Sequence, residues 1–171
     1  MEISMQDTVL SISRAMMTGY YEKGVAPSRF ENGADTGNAP GDVYRCKPGG
    51  PNDYVFVFCQ PVRGHMWDAM CLVLGREDLI DHPDWSNSLW RAEHKEEVDR
   101  LVEGWTEEHT KHEAMRILGE SGIPCGAVLD AADLHIDPHL IERGMITTMD
   151  HPHHGAFKLP GQDNNEDSGA P

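Results

Sequence analysis

The sequence contains few basic residues. Its 171 residues include 14 lysines and arginines against 29 aspartates and glutamates, which gives a formal net charge of −15 at pH 7. A surface with this excess of negative charge repels nucleic acid and anionic membranes, so we expect neither class of partner. It also gives no overall attraction for an anionic substrate. Any anion site must therefore be built locally, from backbone amides or a few basic side chains.

Long apolar runs are also missing. No stretch approaches the ~20 apolar residues that a membrane helix needs. The first seven residues, M-E-I-S-M-Q-D, show neither the basic nor the apolar region of a secretory signal. The four cysteines are scattered along the chain, at Cys46, Cys59, Cys71 and Cys125. This spacing favours reduced, buried thiols over a disulfide framework or a zinc site, and we expect a cytoplasmic protein.

The remaining composition is that of one soluble globular domain. Hydrophobic residues make up 39% of the chain and charged residues 25%, and a chain of this length can bury a core.

The most informative stretch runs from Gly37 to Phe58. A loop with two glycines leads into the apolar segment Val43–Cys46, and a turn-rich segment, 47–53, separates it from Tyr54–Phe58. This pattern predicts a β-hairpin. Glycine lets a loop backbone approach a ligand closely. The alternative, that these glycines only shape turns, stays open.

Apolar periodicity predicts helices on both sides of the hairpin. The three longest span Met5–Tyr21, Pro61–Leu74 and Arg91–Trp105. A short helix at 75–80 lies between the second and the third. Thr110 and Glu113 form a capping box that begins another helix, which ends at Ser121-Gly122.

The C-terminal third alternates short strands with short helices. A strand is predicted near Cys125–Val128, and Asp130 and Asp137 cap helices that follow them. Two further strands, Met145–Met149 and Ala156–Leu159, are joined through a histidine-rich turn. The last ten residues, 162–171, are polar and acidic, and we expect a disordered or truncated tail.

No complete catalytic constellation is visible in the residues themselves. Nothing matches a phosphate loop, a dinucleotide fingerprint or a nucleophile elbow. Cys125 has no nearby histidine or asparagine, so a packed thiol is favoured over a nucleophile. His151, His153 and His154 lie close in sequence, but three solvated histidines are favoured over a metal site. We expect no metal, and a histidine-based metal binder remains an alternative.

Six segments in order resemble motifs of one family, the family III CoA-transferases, which includes formyl-CoA and carnitine CoA-transferases. The segments are Ser4–Leu10 (like SMxDAxL), Gly41–Cys46 (like GxYxC), Trp67 with Leu72–Leu79 (like WxxLCxxLGRxDL), Asp84 with Arg91 (like DPRF…R), Gly122–Val128 (like GIPCAPV) and Asp137–Met145 (like DPxLxxRGM).

The resemblance implies an α+β fold, the small domain of such an enzyme, with short β-hairpins packed with several helices and one N-terminal flanking helix. Residues 1–23 would be the helix that packs on a missing large domain, 24–42 a glycine-containing linker, 43–161 the small domain and 162–171 the tail. Complete members bind CoA on the large domain, and two monomers interlock as a homodimer. The family's catalytic aspartate would lie outside this chain, so no catalytic residue is assigned here.

The resemblance also implies a site. The loop that covers the active site in formyl-CoA transferring members corresponds to about Gly37–Gly41, and Asn38 and Ala39 replace a glycine and a glutamine of that loop. The candidate substrate-binding residues are therefore Gly37, Asn38, Ala39 and Gly41. The implied partners are an acyl-CoA, a carboxylic acid, and the missing large domain or a second subunit. No cofactor is implied beyond the CoA thioester substrate.

Two expectations follow from this assignment. The loop has no large apolar residue, so it should open freely, and valine at Gly37 or Gly41 should cut turnover and leave the fold intact. The alternative to an enzyme is a non-catalytic small-domain remnant that acts in protein contacts.

Overall fold

The computed structural model describes residues 4–26, 39–60 and 64–161. Its helices are α1 (Met5–Ile12), α2 (Arg14–Lys23), α3 (Gly64–Val73), α4 (Ser88–Glu93), α5 (Lys95–Thr106), α6 (Lys111–Glu120), α7 (Ala131–Ile136) and α8 (Pro138–Glu142), with a 3-10 turn at Glu77–Leu79. Its strands are β1 (Gly41–Arg45), β2 (Tyr54–Phe58), β3 (Cys125–Ala127), β4 (Ile146–His151) and β5 (Gly155–Pro160). The fold is α+β, as the sequence predicts.

The predicted hairpin is present and forms the centre of the fold. Strands β1, β2 and β3 make an antiparallel sheet in the order β1-β2-β3. Gly41 is in register with Phe58 and Arg45 with Tyr54. Strand β1 begins at Gly41, so the predicted linker of residues 24–42 overlaps the strand by two residues. Gly41 and Asp42 belong to the strand because they pair with Phe58 and Val57 in the ladder.

Helices α3, α5 and α6 supply the apolar residues that cover one face of this sheet. In β2, Val55 and Val57 are buried and Phe56 between them is exposed, which is the pattern of a half-buried strand. In β1, Tyr44 is buried and is in register with Val55. The fully buried residues include Val55, Val57, Trp67, Met70, Val98, Val102, Leu118 and Ile123. All four cysteines are free, and Cys46, Cys59 and Cys71 lie within this core.

Two predicted long helices are each divided in the structure. The N-terminal helix breaks at Ser13, whose hydroxyl donates to the Val9 carbonyl (2.8 Å). Such bonds back to the preceding turn bend helices. The predicted Arg91–Trp105 helix begins earlier, at Ser88, and breaks at His94 (φ −109°, ψ 33°). Prediction of one continuous helix was wrong in both places.

The C-terminal third follows the sequence closely. The Thr110–Glu113 capping box is formed, and Asp130 makes a second capping box at α7. Asp137 caps α8, which ends at Glu142. Strands β4 and β5 form a separate two-stranded sheet.

Some predictions fall outside the described residues. These are the tail at 162–171, most of the linker (27–38) and residues 61–63, the start of the predicted Pro61–Leu74 helix. Among the helices that the structure describes, none combines the length and the apolar character needed to cross a membrane.

Candidate functional site

Two of the four predicted substrate-binding residues are described by the structure. Ala39 is 3% exposed, and Gly41 is buried as the first residue of β1. Gly37 and Asn38 lie outside the described residues. The Pro40 carbonyl accepts a hydrogen bond from the Cys59 amide (3.0 Å). The end of the loop that joins the strand is therefore packed into the domain, and the expectation of a loop without an anchor does not extend to Ala39–Gly41.

Arg91, on α4, holds the first residue of this packed segment. Its Nε donates to the Ala39 carbonyl (2.9 Å), and its Nη1 donates to the Trp85 carbonyl (2.6 Å). The guanidinium lies over the Trp67 ring, 4.2 Å from the ring centroid. The side chain is buried, and this burial lowers the pKa of Arg91. An arginine in a protein remains protonated, so a positive charge is held beside the segment.

Lys95, on α5, holds the other end of the segment. Its Nζ donates to Asp42 Oδ2 (2.7 Å) and to Asp99. Burial acts to lower the pKa of Lys95, but the hydrogen bonds to Asp42 and Asp99 raise it overall. The second oxygen of Asp42 accepts from the Val43 amide (2.7 Å), so this carboxylate is fixed on both sides.

Tyr44 completes this network on the buried face of β1. Its hydroxyl donates to Asp99 Oδ1 (2.6 Å). Burial, followed by the charge of Asp99, raises the pKa of Tyr44 far above its ordinary value. The tyrosine therefore stays neutral and acts as a hydrogen-bond donor that ties β1 to α5.

The opposite face of the sheet presents an aromatic wall, formed by Phe56 and Phe58. Their rings are nearly parallel, with centroids 6.3 Å apart and planes 14° apart. Phe56 is 39% exposed. Because Gly41 is opposite Phe58 and Val43 is opposite Phe56, this wall lies beside the point where the packed segment enters β1. The segment is thus bordered by charge on one side and by apolar surface on the other.

The thiols are not set up as nucleophiles. Burial raises the pKa of Cys46 and of Cys59 to about 11 and that of Cys71 to about 12. Burial also raises the pKa of Cys125, whose Sγ donates to the Met115 carbonyl (3.3 Å). A thiol is a poor nucleophile until it loses its proton, so these four residues are packing groups at neutral pH.

A second buried cation lies at the other end of the hairpin. Lys111 Nζ donates to the carbonyls of Asn52 (3.2 Å) and Val128 (3.1 Å) and to the carboxylate of Asp133. The hydrogen bond from Lys111 holds the pKa of Asp133 well below its usual range. Asn52 lies in the turn between β1 and β2, so this cluster joins that turn to α6 and α7 and has no contact with segment 39–42.

The histidines of the β4–β5 turn lie together without enclosing a metal site. The ring centroid of His151 is 5.9 Å from that of His153 and 4.7 Å from that of His154. The His151 Nδ1 accepts from the His153 amide (3.2 Å), so one ring nitrogen is engaged within the turn. In the parts of the chain that the structure describes, no group of three or more histidine, cysteine or acidic residues could hold a metal ion.

Sequence reasoning missed the two cations that hold the segment. Arg91 belongs to one of the resembling motifs, which is a signal, although the motif does not say what the side chain contacts. Asp42 lies within the Gly41–Cys46 motif, and Lys95 lies in none, so nothing in the sequence links these two residues, which are separated by 53 positions. Only the fold places them together.

The architecture is shared with solved structures of other proteins. The fold matches a CaiB/BaiF family protein from Brucella suis with a TM-score of 0.63 at 20% identity, covering 90% of this chain and 41% of that chain. It also matches Rv3272 from Mycobacterium tuberculosis with a TM-score of 0.62 at 13% identity, covering 94% of this chain and 39% of that one. At these identities the likeness concerns the fold alone.

The sequence identifies the family. The sequence model of CoA-transferase family III matches residues 1–168, and the chain belongs to this family.

Curated relatives from the same family include formyl-CoA:oxalate CoA-transferases. The protein of this name from Streptomyces avermitilis is 35% identical over 128 residues, which is 75% of this chain and 31% of that protein. The one from Rhodopseudomonas palustris strain BisB18 is 31% identical over an alignment of 176 positions, gaps included, which covers 92% of this chain and 41% of that protein. The chain thus spans about a third to two fifths of the length of these relatives.

Proposed function

We propose that this chain is the part of a family III CoA-transferase that shapes and covers the acid-binding side of the active site. The complete enzyme moves CoA from an acyl-CoA to a carboxylic acid. The observation that carries the proposal is the family match along residues 1–168. The packed segment 39–42 supports it, because Arg91 binds its Ala39 carbonyl and Lys95 binds its Asp42 carboxylate at the predicted site.

The proposed mechanism is nucleophilic. An aspartate outside this chain attacks the thioester carbonyl, which forms a mixed anhydride and releases the CoA thiolate. The thiolate then attacks the aspartyl carbonyl, which gives an aspartyl-CoA thioester and frees the donor acid. The acceptor acid repeats the two steps in reverse and leaves as its CoA thioester, so the aspartate is regenerated. Backbone amides that meet the developing oxyanion lower the barrier.

In this proposal the chain positions the carboxylic acid and excludes water from the reacting groups. Its strong negative charge offers no general attraction for an acid, so local backbone groups must orient the carboxylate. The aromatic wall beside Gly41 adds an apolar border, which supports protection of an anhydride from hydrolysis. Asn38 and Ala39 replace a glycine and a glutamine of the loop in formyl-CoA transferring members, so the identity of the acceptor acid is not specified. Oxalate is one of several acids to test.

Further proposals concern the partners, the oligomeric state and the cellular location of the enzyme. The partners are an acyl-CoA, a carboxylic acid, and a large domain or second subunit, with an interlocked homodimer as the complete form and the cytoplasm as the location. The exposed apolar residues of α1 and α2 support such a partner. Ile12 is 76% exposed and Tyr21 is 87% exposed. Met17, Tyr20, Tyr21 and Ala26, with Ser13, line a depression of about 350 Å³ on this surface.

The same surface favours one alternative, a non-catalytic remnant that acts only in protein contacts. An exposed apolar face of this kind marks a contact site whether or not the assembly is an enzyme. Residues 39–42 distinguish the two proposals, since a remnant has no need of a fixed backbone at the acid site.

A transfer assay decides between them. One sample is this chain alone, and the other is this chain combined with the segment of the family that bears the aspartate. Formyl-CoA is the donor, and oxalate and a panel of other carboxylic acids are the acceptors. We expect no transfer by the chain alone and transfer by the combination. A folded combination without transfer to any acid would favour the remnant, and turnover by the chain alone would contradict the location of the nucleophile.

A further inference from the structure

Two positive side chains, four positions apart across the α4–α5 junction, hold the two ends of one buried segment. Arg91 binds the carbonyl of Ala39, and Lys95 binds the carboxylate of Asp42. We propose that Arg91 is a positioning residue for CoA transfer, which acts by fixing the backbone of segment 39–42 at the acid site. This inference rests on the proposed function, because the segment matters to catalysis only if the site is there.

The environment of Arg91 suits a positioning role. Its guanidinium is buried and forms no ion pair with a carboxylate in the described residues, where two backbone carbonyls and the Trp67 ring take its place. A buried charge is costly, and an apolar side chain of similar volume often serves stability as well or better. A planar guanidinium offers something that an apolar group does not, since it donates in fixed directions while its face packs on an aromatic ring.

The groups that hold Arg91 are themselves fixed. The indole Nε1 of Trp67 donates to the Leu79 carbonyl (3.3 Å). The Trp67 and Trp85 rings are stacked, with centroids 6.2 Å apart. The Ala39 carbonyl is therefore held by a chain of contacts that reaches α3 and the 3-10 turn, so its direction is set by the core and not by the loop alone.

Lys95 binds the other end of the segment, and between the two ends the Pro40 carbonyl accepts from the Cys59 amide. Because Asp42 also accepts from the Val43 amide, the lysine fixes the point where the segment becomes strand β1. Loss of Arg91 should leave this end in place and release the Ala39 end. The expected result is a small displacement of backbone near the reacting acid, and displacements of about 1 Å can cost on the order of 100-fold in rate.

The variants separate positioning from stability. Arg91→Lys keeps the charge but loses the planar fork, and Arg91→Met keeps most of the volume and loses the charge. Lys111→Met is the matched control, because Lys111 is also buried and also binds two backbone carbonyls, but at the turn end of the hairpin. Each variant is made in the complete enzyme, and kcat, KM for each substrate and the thermal midpoint are measured.

A second measurement does not depend on activity. Hydrogen exchange of a peptide covering residues 39–45 is followed in the full 171-residue chain for wild type and the same variants. Each protein is measured at the same number of degrees below its own thermal midpoint. This readout reports whether Arg91 fixes the segment.

The expected result is specific to Arg91. Both Arg91 variants lower kcat by about tenfold or more and change KM for the acid more than KM for the acyl-CoA. They also speed exchange in 39–45, whereas Lys111→Met lowers the thermal midpoint with kcat within about twofold of wild type. Equal kcat losses in the Arg91 and Lys111 variants, or unchanged exchange in the Arg91 variants, would overturn the inference while wild-type transfer stands. Absence of transfer by the wild-type enzyme would instead reject the proposed function.

Discussion

Arg91 and Lys111 are both buried cations, but their charges are neutralised differently. Arg91 is satisfied by carbonyls and an aromatic ring, whereas Lys111 also pairs with the Asp133 carboxylate. Only the second arrangement contains a carboxylate paired directly with the cation, whose protonation at acid pH removes the ion pair. The two residues therefore predict different pH behaviour, although their burial is similar.

Asp133 should make stability depend on pH in the acid range. The hydrogen bond from Lys111 lowers the pKa of Asp133 below that of an aspartate in the unfolded chain. The stabilising contribution of Asp133 is therefore present above about pH 4 and is lost as pH falls further. The stability difference between wild type and Asp133→Asn should be largest near neutral pH and should narrow below pH 4. Denaturant titrations between pH 7 and pH 3 measure it. Val57→Ala, which changes no acid, should keep a constant difference, and a constant difference for Asp133→Asn would contradict the role of the pair.

Tyr44→Phe tests the hydrogen bond between β1 and α5. The hydroxyl is buried and donates to Asp99 (2.6 Å), so its removal leaves a carboxylate with one fewer donor. We expect a loss of about 1–2 kcal/mol in the free energy of unfolding, measured in urea. Tyr20→Phe, at an exposed tyrosine of α2, is the control and should change stability by less than about 0.5 kcal/mol. Equal effects of the two variants would count against the network.

The elements whose ends carry local signals were predicted well. The hairpin, the Thr110 capping box and the Asp137 cap each depend on residues within a few positions of one another. The break at Ser13 was missed because apolar periodicity continues across it, and the break at His94 was missed because the predicted apolar stripe begins only at Val98. At His94 the imidazole stacks on Trp90 (4.0 Å between centroids) and contacts the Trp90 carbonyl, a local arrangement that periodicity does not encode.

The capping box predicts a stability effect at one helix end. Thr110 accepts from the Glu113 amide, and the Glu113 carboxylate accepts from the Thr110 amide. Thr110→Ala should lower the free energy of unfolding by about 1 kcal/mol, because a helix N-terminal amide loses its partner. Thr110→Ser retains the hydroxyl and should lose only a fraction of that amount in the same urea titration. A serine variant as unstable as the alanine variant would show that the methyl group, and not the cap, is responsible.

The expectation for Gly41 changes with the structure. Valine at Gly41 was expected to leave the fold intact, but Gly41 is buried and opposite Phe58 in the ladder. A larger side chain there should therefore lower the thermal midpoint of the chain as well as the turnover of the complete enzyme. Thermal unfolding of the Gly41→Val chain measures the effect on the midpoint. An unchanged midpoint would mean that this end of β1 accommodates a side chain freely.

At the scale of the whole molecule, the sequence predicted more of the fold than of the site. Family motifs and local caps identified the α+β architecture in order. The site depends on contacts between distant residues, such as Arg91 with Ala39 and Lys95 with Asp42, which are 52 and 53 positions apart. No local pattern encodes these pairs. The candidate residues Gly37 and Asn38 remain predictions, because they lie outside the described residues.

The chain matches only 30% to 41% of the length of its curated relatives. The proposed function is consequently a division of roles, in which this chain positions the acid and another segment supplies the nucleophile. An aspartyl-CoA thioester is open to hydroxylamine, which converts the aspartate to a hydroxamate and releases CoA. The modified residue can then be located by mass spectrometry of peptides.

The most direct test is this trapping experiment on the complete enzyme during turnover with acyl-CoA. We expect a hydroxamate on one aspartate outside residues 1–171, dependent on acyl-CoA, and no modified acid within residues 1–171. A hydroxamate on any aspartate or glutamate of this chain would contradict the division of roles.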